Sequence, residues 1–284
     1  MSFKKVLTIL LAFAIEEKIT DKAVIKACRD WLISRVMYAQ EFVRFAEEGR
    51  FFSFWGHPLT NALLFNIFLA LNTAWYKSRG KQIYAALYIP FAMAGVLLSG
   101  SKTGITVCFL IIIILFWDHK KWLLVCIPIL VGLYFTGVFN NIIARFSEGS
   151  LTTGRIETLT EYFTSLYSQY PFQWLSGYGS GIVMNASHVL YSVRAGFEFP
   201  LLLFALDYGI VFAIVLMAGS YLYISWRCLK KKQWTIWLCY TLVFAEINTY
   251  NAYALRNQDM FIVGCFVAML MLNMVPEENR KLNS

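Results

Sequence analysis

Charge is scarce in this chain. Asp, Glu, Lys and Arg make up 15% of its 284 residues, where soluble domains carry about 25%. That scarcity argues against a water-soluble domain. Cysteine chemistry is equally thin. Cys28, Cys108, Cys126, Cys228, Cys239 and Cys265 form no CxxC pair, which argues against a disulfide framework or a zinc site. There is no DxD step or other carboxylate cluster, which argues against a divalent metal and against metal-dependent sugar-nucleotide chemistry. No metal or other cofactor is expected. Repeats and low-complexity tracts are absent as well. The net charge of +8 is dispersed over short loops, so it reads as a topological signal and not as a nucleic-acid surface.

What fills the chain is apolar residue, 58% of the total, with 17% aromatic. The runs Leu59–Tyr76, Ile83–Ser99, Thr103–Trp117, Trp122–Phe139, Pro200–Trp226, Trp234–Thr249 and Met260–Val275 read as membrane spans. In lipid each must be helical, because backbone groups there have no water to bond. The expected fold class is therefore all-α: a polytopic transmembrane helical bundle with a long extracytoplasmic loop containing an amphipathic helix. Residues 1–58 hold a partial span and an amphipathic or membrane helix. Four spans fill 59–139, the loop takes 140–199, three spans fill 200–275, and 276–284 is a cytoplasmic tail. The run Val6–Ile15 is too short to cross, since about twenty residues are needed, and fits the remnant of a longer helix. Between Glu16 and Arg50 a stripe of Val24, Cys28, Trp31, Leu32, Tyr38, Phe42 and Phe45 is interrupted by Arg29, Asp30, Arg35 and Glu41. Such a segment lies in the interface or crosses with its charges against other helices.

Basic residues gather in alternate connections: Lys77, Arg79 and Lys81; Lys120 and Lys121; Arg227 and Lys230 to Lys232; and Arg280 and Lys281 in the tail. The positive-inside rule places these in the cytoplasm. Arg50–Pro58, Ser99–Gly104, the loop Asn140–Phe199 and Arg256 then face outward. The cations that remain there, Arg50, Lys102, Arg145, Arg155, Arg194 and Arg256, either bind a polyanion, for which arginine's fork suits phosphate oxygens, or pair with Glu148, Glu157 and Glu198.

Within the long loop, Ile156, Leu159, Phe163, Leu166, Tyr167 and Tyr170 form one stripe of an amphipathic helix opened near Thr152 and stopped by Pro171. Arg155 sits in its first turn, where an anion would also meet free backbone amides. Gly177-Tyr178-Gly179-Ser180-Gly181 has no βαβ context for a dinucleotide loop and reads as a tight turn that lets backbone approach a ligand or a neighbouring helix. His188 is either a general base or a hydrogen-bonded structural residue. His57, before Pro58, reads as a helix-entry residue. Glu198, Asp207 and Glu246 are acids at or within spans, functional candidates by default that could equally pair with Arg194 or Arg256.

Taken in order, Arg50 with Gly56-His57-Pro58, Leu98 to Gly104, Gly154-Arg155, Pro171 with Leu175 to Gly179, His188, Phe197-Glu198 and Gly209 resemble the bacterial O-antigen and capsular polysaccharide polymerase/ligase family. The resemblance covers roughly Arg50 to Ile224. Lys102 stands where the family usually has arginine, and Val189 follows His188 where ligase members usually have asparagine. Family members carry more spans, which implies that this chain corresponds to the later part of one. The resemblance implies a multi-pass protein of the bacterial inner membrane that transfers a glycan from an undecaprenyl-pyrophosphate-linked donor to a lipid-linked repeat-unit acceptor at the outer face. Its alternatives are a glycan ligase and a non-catalytic transporter of lipid-linked glycan. The implied partners are the undecaprenyl-pyrophosphate-linked oligosaccharide, membrane lipid, and chain-length regulator and flippase proteins. Arg155 and Arg145, supported by Lys102, Arg194 and Arg50, would hold the pyrophosphate. His188 or Glu198 would take the acceptor proton.

Overall fold

A computed structural model describes residues 23–31, 39–48, 50–52, 57–119, 171–179, 199–249 and 258–275, with single positions in 12–20 and 160–170. Among them the structure is all-helical, with no strand. The elements are α1 (Ala23–Ala27), α2 (Ala39–Glu47), α3 (Pro58–Lys77), α4 (Gln82–Ala86), α5 (Ile89–Ser99), α6 (Lys102–Phe116), α7 (Pro200–Tyr208), α8 (Ile210–Lys230), α9 (Trp234–Ile247) and α10 (Gln258–Met274). The expected span Trp122–Phe139 and the tail 276–284 lie outside the described residues. The chain divides into two units, Met1–Gly149 and Ser150–Ser284.

The first unit is built around α3. Every residue from Thr60 to Ala74 is buried, so this helix has neighbours on all sides. Its asparagines need partners, because a buried amide without a hydrogen bond is costly. Asn61 Nδ2 donates to the Phe51 carbonyl at 3.1 Å and Asn66 Nδ2 to the Gly104 carbonyl at 2.8 Å, while Asn72 bonds back to Phe68 in its own helix. The 51 and 104 segments are thereby tied to the first half of α3. Lys77 Nζ, at the other end, donates to the Ile114 carbonyl and pairs with Asp118 at 3.1 Å. Helices α3 and α6 therefore run parallel. Ring pairs, edge-on for Phe65 with Phe91 and Phe68 with Tyr88 and tilted for Tyr76 with Tyr84, show α4 and α5 returning antiparallel to α3. The expected span Ile83–Ser99 is two helices separated by a turn at Leu87 and Tyr88, with Pro90 in the first turn of α5. A proline there has no amide to lose and a preset φ. Short α2 turns Phe42 and Phe45 inward, where they meet Phe52 and His57 at 5.1 to 5.9 Å.

In the second unit α8 and α9 are antiparallel. The rings of Tyr221 and Tyr240 stack at 6.2 Å, and the Tyr240 hydroxyl donates to the Ser220 carbonyl at 2.7 Å. Helix α10 packs on both. The expected single span Pro200–Trp226 is interrupted: Gly209, at φ +98°, ends α7 and precedes α8. Residue types other than glycine rarely adopt that conformation. Among the described residues two stretches are long and apolar enough to cross a membrane, Gln82–Ser99 and Ile210–Lys230. Helices α6, α9 and the apolar part of α10 are shorter than that.

Candidate functional site

The first unit collects sequence-expected residues at one end. Helix α5 stops at Gly100, whose left-handed backbone (φ +63°) lets its amide bond back to Val96 and Leu97. The last carbonyls of a helix need donors from elsewhere. Those of Leu98 and Ser99 receive them from the 50–51 segment: Phe51 N–H donates to Leu98 at 3.0 Å and Arg50 Nε to Ser99 at 3.2 Å. Arg50 is 8% exposed, and its guanidinium lies over the Phe45 ring at 5.3 Å and pairs with Glu48 at 3.3 Å. A cation at a helix C-terminus also interacts favourably with the dipole.

Two residues on, Ser101 caps α6 by accepting the Gly104 amide at 3.0 Å, as Ser does at an N-cap. Lys102 follows as the first helical residue, half-buried. His57 is the corresponding residue of α3. Its Nδ1 accepts the Leu59 amide at 3.2 Å, with Pro58 next, so the helix-entry role expected of it is the one it has. The starts of α3 and α6 thus share an end with Arg50 and Lys102, while Lys77, Arg79 and Asp118 lie toward the other. Two positive dipole ends and Lys102 lie here beside the C-terminus of α5, whose carbonyls and Glu48 engage Arg50.

The second unit holds the other site-like feature. Residues Gln173 to Gly179 run across the break between α7 and α8. Tyr178 N–H donates to Leu206 at 2.8 Å and Gly179 N–H to Asp207 at 3.1 Å. In return Ile210 and Val211 donate to Gln173 and Trp174 at 2.9 and 3.0 Å. An interrupted helix leaves orphan amides and carbonyls, and this turn takes four of them. Gly177 is required by the close approach, since a Cβ there would overlap the Asp207 main chain. The glycine-spaced turn read from the sequence is indeed one that brings backbone against a helix. Asp207 and Glu246 are both buried, 2% exposed. Among the described residues no three His, Cys, Asp or Glu side chains gather as metal ligands would.

No family model, curated protein or solved structure matches this chain.

Of the seven residues expected at the site, Arg50 and Lys102 are described and lie near one another at the same turn. Arg145, Arg155, His188, Arg194 and Glu198 lie outside the described residues. Three features escaped the sequence reading. The asparagines of α3 were visible as polar residues at irregular spacing within an apolar run. The break at Gly209 was signalled by Asp207-Tyr208-Gly209 inside a run longer than one crossing requires. Ser101 was visible as a Ser three residues before a glycine at the head of an apolar run.

Proposed function

We propose that this chain is a membrane-embedded polysaccharide polymerase. It transfers a glycan from an undecaprenyl-pyrophosphate-linked donor to a lipid-linked repeat-unit acceptor, without a metal, at the outer face of a bacterial inner membrane. The observation that carries this reading is the junction of the Arg50 segment with the Ser99–Gly104 turn, at the end of the first unit where two helices begin. Glycosyl transfer from such a donor leaves a pyrophosphate, so cations and helix starts aimed at that oxygen-rich leaving group stabilise the charge that develops as the glycosidic bond breaks. In this scheme Lys102 meets the anion and Arg50 fixes the turn that presents it. Arg155 and Arg145 hold the pyrophosphate from the long loop, Arg194 assists, and His188 or Glu198 accepts the acceptor's proton.

Transport of a lipid-linked glycan is the second reading. It is favoured by the interruption at Gly209 beside buried Asp207, because discontinuous helices line substrate sites in transporters. Against it, the amides of Ile210 and Val211 and the carbonyls of Leu206 and Asp207 already bond the 173–179 turn.

Glycan length in bacterial cells lacking the gene separates the readings. A polymerase leaves single repeat units and no polymer. A ligase leaves long polymer on the lipid carrier. A transporter leaves lipid-linked units on the cytoplasmic side. Transfer by the purified protein is expected to survive EDTA, and a loss restored by magnesium would contradict the metal-free scheme.

A further inference from the structure

We propose that the turn Pro171–Gly179 is a membrane anchor, with Trp174 and Leu175 seated in lipid at one edge of the bilayer. The proposal rests on the reading of the chain as membrane-embedded but not on the glycosyl-transfer chemistry.

Trp174 and Leu175 are 71% and 83% exposed, two large apolar side chains at the tip of a short turn. The turn cannot fold over to hide them. Four backbone hydrogen bonds pin it to residues 206–211. It is also closed on itself by Tyr178 Oη donating to the Pro171 carbonyl at 2.7 Å and by Ser176 Oγ to Gln173 Oε1 at 2.9 Å. Exposed apolar surface on a rigid element marks a docking site.

What covers it follows from its neighbour. The Trp174 carbonyl accepts the Val211 amide, so the tip lies at the first turn of α8. From there Val211, Val215, Gly219, Leu222, Trp226 and Leu229 are all exposed and recur every three or four residues, forming one stripe without a polar side chain along the helix. No Asp, Glu, Lys or Arg occurs between Val211 and Trp226, and Arg227 and Lys230 to Lys232 follow at once. A helix of 21 residues at about 1.5 Å per residue is about 31 Å long, the thickness of a bilayer's hydrocarbon core. Trp226 marks one end of that stripe and Trp174 the other, as tryptophans mark the two interfaces of a membrane span. Continuity with a stripe of membrane length selects a lipid surface over a sugar or a second protein chain, neither of which would demand an apolar face of that length.

The test uses the full chain in vesicles of phosphatidylcholine and phosphatidylglycerol, with Cys28, Cys126 and Cys265 replaced by Ala. A nitroxide is placed through Leu175→Cys and, separately, through Val215→Cys. Oxygen is expected to relax both labels several-fold more than a water-soluble nickel chelate does, with Leu175 nearer the headgroups than Val215. A Leu175 label relaxed mainly by nickel, with Val215 still in lipid, overturns the anchor and leaves the membrane reading standing. A Leu175 label shielded from both agents points to a protein cover and overturns it too. Nickel access at both sites overturns the membrane reading itself. Trp174→Phe in the natural cysteine background gives a second measure. Quenching of tryptophan emission by brominated lipid should fall relative to the parent, and unchanged quenching contradicts the anchor even where the cysteine variants fail to insert.

Discussion

Arg50 and Lys102 look alike in the sequence, each a cation beside an apolar run, yet their surroundings divide the work between them. Arg50 is buried, and two of its nitrogens are engaged by Ser99 and Glu48; Lys102 is half-buried at a helix start. Hydrogen bonds involving a charged group contribute about 1.5–3 kcal/mol each. Arg50→Ala is therefore expected to lower the melting midpoint of the detergent-solubilised protein, at a cost of about 2–4 kcal/mol once the orphaned Ser99 carbonyl is included. Lys102→Ala is expected to lower transfer from lipid-linked donor about ten-fold, the effect of roughly 1.4 kcal/mol in a transition state. If Lys102→Ala left transfer unchanged and Arg50→Ala lost only turnover, the two roles would be reversed. Arg155 carries the same logic into the long loop. Arg155→Ala should nearly abolish transfer at unchanged protein level, and Arg155→Lys should restore part of it, since lysine lacks the fork that holds two oxygens at once. Near-normal polymer from Arg155→Ala would remove it from the site, as an exposed ion pair contributes only about 0–1 kcal/mol.

At the scale of elements, apolar runs in the sequence report where helices are but not where they stop being straight. The run from Pro200 to Trp226 reads as one span because, Asp207 apart, every residue type in it tolerates a membrane. Asp207-Tyr208-Gly209 hints at a break, but φ at Gly209 and the turn docked against it are what divide the run into two helices. The same holds for Arg50, whose partner Ser99 is far along the chain, so its pairing depended on tertiary packing. The cap at His57 was legible because capping is local. The two glycines of the docked turn make the packing testable. At Gly177 a Cβ would strike the Asp207 backbone, which cannot rotate away, whereas at Gly179 (φ +98°) nothing lies within 4 Å. Gly179→Ala should cost only backbone strain, about 1–2 kcal/mol. Gly177→Ala adds a clash with main chain and should exceed it by about 1–3 kcal/mol, the usual cost of overpacking. Chemical denaturation of the two variants, compared with the parent, checks the order; equal losses would mean that the turn yields freely and is not pinned.

For the whole molecule the question is which end faces which compartment. In the first unit, Arg50, Lys102 and the starts of α3 and α6 share one end, and Lys77, Arg79 and Asp118 mark the other. On the proposed membrane reading, lysine and arginine near span ends favour the cytoplasm, which would place the Lys77 end inward and the Arg50 end outward. In the second unit the triplet Lys230 to Lys232 joins α8 to α9, which would place that turn inward by the same rule. Glu47 and Ser78 are exposed at opposite ends of the first unit and Lys230 is exposed in the second. Glu47→Cys, together with Ser150→Cys in the long loop, should therefore react with a membrane-impermeant maleimide in intact cells. Ser78→Cys and Lys230→Cys should react only after the membrane is opened. The pattern matters because the proposed chemistry depends on it: a lipid-pyrophosphate presented at the outer leaflet can be met only by cations on that side. Labelling of Ser78→Cys from outside with Glu47→Cys protected would invert the unit, turn its Arg50 and Lys102 end to the cytoplasm and remove the basis for outer-face transfer. Labelling of all four from outside would mean that no membrane separates the two ends, and the membrane reading of α4–α5 and α8 would fall with it.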